Sequence, residues 1–384
     1  MPPATLRQGT PLLILGREVP FSFWPVGRTT RRYGAQYRIF STNPWPTITR
    51  SIQRSCPSTA KPSALAFIAQ AEDYYRAATS GTVSAAKPLL LYYAFMNMAK
   101  AYILHVGRQN NLDHSAHGVS EQLGPGGIEL TDAILRARPT APPVALPDYT
   151  SFQLFHEFLH TARGTGLAAR TDFPVPKLLP QIITGHRLWA HGAHEIERFV
   201  GFHRISFVEN RPGHEIWLRL FIFHDDLTRL GVSHLEFLRR AQLATDFHAV
   251  VWNEQIDHRS LVCFEQRVPT TYTHRSADVI PELVSRVRTA IWTAVSSQSP
   301  YRKYYAYMAP TADHAHTLPQ VLSIYAVAFY LGSITRYRPH HFQKIIDSDF
   351  GPFIEAFLND QPAQFLYLMA SLFAKQEITK AAIV

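Results

Sequence analysis

The sequence predicts an α+β fold that is predominantly helical. Three observations carry this. Two stretches, 87–106 and 318–336, are apolar around most of a helical circumference, so both belong in a core. Pro, Ser and Gly bracket further amphipathic stretches at positions suited to helix starts and stops. Only the middle, about 199–267, carries the short aromatic and β-branched runs of strands. Of the 384 residues 46% are apolar and 17% charged, which suffices to build a core and excludes disordered, collagen-like and low-complexity chains. The length suits two or three packed units.

Residues 1–60 read as irregular or extended and are rich in Arg, Pro and aromatics. Pro62 and Ser63 open a helix that ends near Gly81. The first apolar helix, 87–106, stops at Gly107. Residues 139–147 form a Pro-rich linker, followed by a short helix, 151–163. Strands are expected at 216–223, where Arg219 interrupts an apolar run, and at 247–252 and 260–264. Ser233 caps a helix over 234–243. One helix is expected over 281–295. The second apolar helix, 318–336, is stopped by Pro339, and shorter helices follow at 339–348 and 361–376.

This divides the chain into a basic segment (1–60), the first part of a helical core (61–138), a linker with helices (139–198), a strand-containing segment (199–270) and a C-terminal helical part completing the core (271–384). The two apolar helices should pack together across the intervening sequence.

Charge is unevenly placed. Of 38 cations, 30 are Arg, and residues 1–60 hold eight Arg against one acid, Glu18: +7 of the chain's +9. Arg forms bidentate contacts with phosphate and stacks on bases. Arg28, Arg31, Arg32, Tyr33 and Arg38, interleaved with aromatics, suit nucleic-acid contact. A solvated loop or a surface that docks a protein partner is the competing reading. Two cysteines, Cys56 and Cys263, cannot form a disulfide framework or a Cys-based zinc site, so a cytoplasmic location is expected. No apolar run is long enough to span a membrane, and the patch at 11–15 is too short for a signal peptide.

Two motifs carry possible chemistry. His156-Glu157-Phe158-Leu159-His160 is an H-E-x-x-H, which on a helix places two zinc ligands on one face with Glu157 as base of a metalloprotease. With 19 histidines in the chain, a chance match on an amphipathic helix competes with it. Arg336 and His341, with four residues between them, could cleave RNA without metal or cofactor. The His moves the proton of a ribose 2′-hydroxyl and the Arg offsets phosphorane charge. A cationic helix end that complements the macrodipole competes here. Arg338, between them, is expected to join the nucleic-acid contacts. Phosphate-loop, dinucleotide and nucleophile-elbow motifs are missing.

The segment AKPLLLYYAFMNMAKAYIL (86–104), the following His117-Gly118-Val119-Ser120, and Tyr330-Leu-Gly-Ser-Ile-Thr-Arg-Tyr-Arg-Pro339 together resemble the YaaC-like proteins. That resemblance covers most of the chain and implies little about activity. Tyr92-Tyr93-Ala94 with Ala99-Lys100-Ala101, followed by His-x-x-His-Gly, is more distantly similar to the first core helix of HEPN domains. This second likeness implies a HEPN-like helical core with the mixed segment inserted, a possible homodimer, and an endoribonuclease of a bacterial antiviral defence or stress system, with Arg336 and His341 as its catalytic pair. The partner expected is RNA rather than DNA, with a non-catalytic scaffold subunit as the alternative.

Overall fold

A computed structural model describes residues 4–14, 16–24, 38–82, 84–141 and 152–381. It corrects the predominantly helical, HEPN-like expectation. Helix accounts for 44% and strand for 23%, and the strands build six sheets among the described residues. The chain falls into two compact units.

The strand-rich unit comprises Met1–Thr42, Ile196–His314 and Lys375–Val384. Its main sheet is antiparallel, in the order Thr10–Pro11, Arg204–Asn210, Glu215–Phe223, Arg259–Gln266, Phe247–Val250, with two short strands added. The strand Glu215–Phe223 is buried almost throughout because both of its faces are covered. Ile216, Leu218, Leu220 and Ile222 enter a core shared with Phe237, Phe264, Leu283 and Val284. The alternate set turns the other way, and this explains Arg219 in an apolar run. Its Nε donates to Glu265 at 2.8 Å, beside Trp217, whose Nε1 donates to the same carboxylate at 3.0 Å. Ser233 caps the helix His234–Arg240 by accepting from the Glu236 amide at 3.2 Å.

Residues 281–295 are not one helix. The helix Ile280–Val287 ends, and Ile291–Val295 pairs antiparallel with Arg302–Tyr307. The Ile-Trp-Thr-Ala-Val run favours a pleated surface. A parallel pair, Arg38–Ser41 with Glu377–Lys380, joins the ends of this unit.

The helical unit comprises Asn43–Glu195 and Ala315–Ala374. Its helices Trp45–Ser55, Lys61–Thr79 and Lys87–His105 each carry Pro in the first turn, where a missing N–H costs nothing. The first of these lies where irregular chain is expected. Its Ile48 and Ile52, one turn apart, are fully buried. The two apolar helices, Lys87–His105 and Gln320–Tyr337, pack against each other through Tyr92, Tyr325 and Phe329. Gly332 permits the approach, since a Cβ there would lie 2.9 Å from Tyr92 Cβ. The last helix runs unbroken from Gly351 to Ala374, with Pro362 inside it. Pro362 suits a first turn, which is why a separate later helix is expected from sequence. Phe353, Ile354 and Phe357 bury the turns that precede it and extend the helix back to Gly351.

This unit also holds sheets the sequence does not announce: Val119–Leu123, Ala133–Ala137 and Thr171–Pro174 pair antiparallel, and Ser115–Ala116 pairs with Phe152–Gln153. Among the described residues no helix is long and apolar enough to cross a membrane.

Candidate functional site

The helices Lys61–Thr79 and Lys87–His105 pack antiparallel, which brings residues at helical spacing into three successive pairs. Lys100 Nζ lies 5.2 Å from the Phe67 ring centroid. Asn97 Nδ2 donates to Gln70 Oε1 at 2.7 Å. The Tyr74 and Tyr93 ring centroids are 5.5 Å apart. The last turn of the second apolar helix extends this row. Arg336 Nη1 donates to Tyr93 Oη at 3.3 Å, and its guanidinium carbon lies 5.0 Å from the centroid of Tyr337, which is 65% exposed. Cation and rings therefore follow one another along a half-buried row whose Arg336–Tyr337 end is open to solvent.

His117 stands beside this row. Its Nδ1 is 2.5 Å from the Tyr92 hydroxyl. The same hydroxyl lies 3.6 Å from Met96 Sδ, and in the tautomer that protonates Nδ1 the Tyr92 oxygen accepts from it and Nε2 keeps its lone pair. Burial, then the charges of Lys100 and Arg336, hold His117 below the ordinary imidazole pKa. Burial likewise lowers Lys100 and raises Tyr92. The result is an imidazole held neutral within the field of an exposed guanidinium. Gly118 makes the turn behind it, with φ of 75° and a Cβ position only 3.0 Å from the Gln153 backbone.

The residues singled out from sequence are distributed differently from the expected pattern. Arg336 belongs to the row just described. His341, in the next helix Pro339–Ile346, has its Nδ1 3.3 Å from Glu129 Oε1. Arg338 donates from Nε to the same oxygen at 2.9 Å and from Nη2 to Glu121. The structure thus joins His341 to Arg338 through Glu129 and gives Arg336 to Tyr93. Tyr330 donates to the other oxygen of Glu129.

Arg38 pairs with Glu377. Arg28, Arg31, Arg32 and Tyr33 lie outside the described residues, as does most of the Pro-rich stretch 139–147. Another cation of the basic segment, Arg7, lies over Trp217 at 5.0 Å and donates to the Gln266 and Arg267 carbonyls, so it is taken up inside the strand-rich unit.

The H-E-x-x-H segment forms the expected helix, Leu154–Arg163, with His156 and His160 ring centroids 6.5 Å apart. Glu157 is 1% exposed, and its oxygens accept from Arg108 at 3.0 Å and Thr140 at 2.8 Å. His156 Nδ1 accepts from the Leu167 amide, and its ring packs against Gly166. Among the described residues no three His, Cys, Asp or Glu side chains converge as a metal site.

Sequence reasoning missed Tyr93, Lys100, His117 and Glu129 as site residues. The Tyr92-Tyr93 pair and the His-Gly turn are visible in the sequence. Their roles are not, because Arg336 reaches Tyr93 across 243 positions.

A family model described as YaaC-like protein matches residues 32–373. No curated protein and no solved structure matches the chain.

Proposed function

The chain belongs to the YaaC-like protein family, and we propose that it binds single-stranded RNA on the face built by Tyr74, Tyr93, Arg336 and Tyr337 and cleaves it with His117. The observation that carries this reading is the exposed Arg336 guanidinium, fixed by the Tyr93 hydroxyl and set against the Tyr337 ring, close enough to a neutral His117 to act on its charge. Bases stack on the rings, and Arg336 meets a phosphate. His117 Nε2 takes the proton of a ribose 2′-hydroxyl. The freed oxygen attacks phosphorus, the 5′-oxygen leaves with a proton from the imidazolium, and a 2′,3′-cyclic phosphate remains. Arg336 offsets charge on the phosphorane. The 2′-hydroxyl makes RNA the substrate rather than DNA. The chemistry needs no metal or redox partner, and it fits a chain whose two cysteines are free, buried thiols in a reducing cytoplasm.

His341 is the alternative base, because the Arg-x4-His spacing names it and Glu129 orients its ring. A cleavage assay in EDTA separates the two. His117→Ala should abolish turnover and keep RNA binding, whereas His341→Ala should keep both. Loss of turnover only in His341→Ala would transfer the role, and full activity in both variants would end the proposal.

A further inference from the structure

A cavity of about 460 Å³ opens between residues 127–131 and 341–350 of the helical unit. It shares no residue with the Tyr93/Arg336 face, so a ligand bound here neither requires RNA cleavage there nor is excluded by its absence. Its size is that of sites for small organic ligands.

Four features mark it as a built site. Its lip carries Ile128, 68% exposed, an apolar side chain left to water beside further apolar wall from Leu130, Ile345 and Phe350. Leu130 holds φ of 71°, a left-handed conformation that a bulky residue rarely adopts. That backbone is clamped, since the Leu130 amide donates to Tyr330 Oη at 2.9 Å while Tyr330 donates to Glu129. Glu129 in turn orients His341. A carboxylate accepts only, so Nδ1 donates to it and Nε2 is the ring atom left for a ligand.

The polar lining is mixed. Lys344 and Asp349 contribute one exposed charge of each sign, and Glu129 is already satisfied by Arg338, Tyr330 and His341. A ligand with an apolar ring, an anionic head, an exocyclic amino group and a hydroxyl would answer all of these groups together.

We propose that this cavity binds a nucleoside monophosphate. The base lies against Ile128, Ile345 and Phe350. The phosphate meets Lys344, Asp349 accepts from the base's amino group, and a ribose hydroxyl donates to His341 Nε2.

Isothermal titration of the full chain with AMP, CMP, adenosine and inorganic phosphate tests this. A monophosphate should bind at least about tenfold more tightly than adenosine or phosphate alone, the gain a second anchored group brings when about 1.4 kcal/mol is added. Lys344→Gln, at an exposed position that leaves the fold intact, should bring AMP affinity down to that of adenosine. His341→Gln should weaken AMP and adenosine by a similar factor. Absence of binding by all four probes would overturn the proposal. So would equal binding of phosphate and AMP, or AMP binding that neither variant changes.

Discussion

Replacing Gly332 by Ala tests how the packing of the two apolar helices sets the site. The new Cβ would lie 2.9 Å from Tyr92 Cβ and 3.4 Å from the Pro88 carbonyl. Carbon atoms at rest sit about 3.5–4.0 Å apart, so the overlap is roughly 0.6–1 Å between two backbone-anchored atoms. Overpacking of this kind costs about 1–3 kcal/mol. Ala is favoured over Gly within a helix by about 1 kcal/mol, which offsets part of that cost. The expected net loss is therefore about 0–2 kcal/mol. The more specific effect is displacement of Tyr92, which holds His117 Nδ1. Urea unfolding measures the stability change, and proton NMR follows the His117 ring through its titration. Displacing Tyr92 should loosen the packing that depresses His117, so its pKa should rise towards 6.5, the ordinary value. A variant as stable as the parent whose His117 titrates unchanged would refute the reasoning.

Three other outcomes concern ionisable side chains and their burial. His117, His156, His203, His234 and His248 all have pKa values lowered chiefly by burial. The unfolded chain therefore binds protons more readily than the folded one, and folding stability is full above about 6.5 and declines as pH falls through the folded values. Urea midpoints from about pH 8 to about pH 5 should fall; a flat or rising profile would contradict it. Glu265→Ala strips the buried Arg219 and Trp217 of their shared acceptor and should cost about 3–5 kcal/mol in chemical denaturation. Arg76→Ala, at an exposed helical pair with Glu72, should cost under about 0.5 kcal/mol. Similar losses in the two variants would show that burial does not govern these pairs.

Much of the helical unit is legible locally. Pro in the first turn and a following Gly mark Lys61–Thr79 and Lys87–His105, and an apolar circumference between Pro319 and Pro339 marks Gln320–Tyr337, with little help from tertiary context. The short strands 119–123, 133–137 and 171–174 are not, because each takes its meaning from a partner strand rather than from its own pattern. The run 281–295 shows the same ambiguity. Its first half has helical spacing, and its second half becomes a strand only because Arg302–Tyr307 is there to pair with it. At the candidate site Arg336 is visible from sequence as a cation at the end of an apolar helix. Its neighbours are not, since sequence spacing offers the nearby His341, whereas the fold brings up Tyr93, 243 positions away, with His117 within reach of its charge. Likewise the eight Arg of residues 1–60 suggest one basic surface, yet Arg7 and Arg38 are taken up by Trp217 and Glu377.

RNA affinity as a function of salt tests the central claim most directly, by fluorescence anisotropy with a labelled single strand about twelve nucleotides long. If Arg336 meets a phosphate, Arg336→Ala weakens binding about five- to tenfold at moderate salt and flattens the log–log salt slope by about 0.7. Tyr93→Ala removes a stacking ring worth about 1–3 kcal/mol and leaves the slope unchanged. Undiminished affinity and an unchanged slope in both variants would contradict the account.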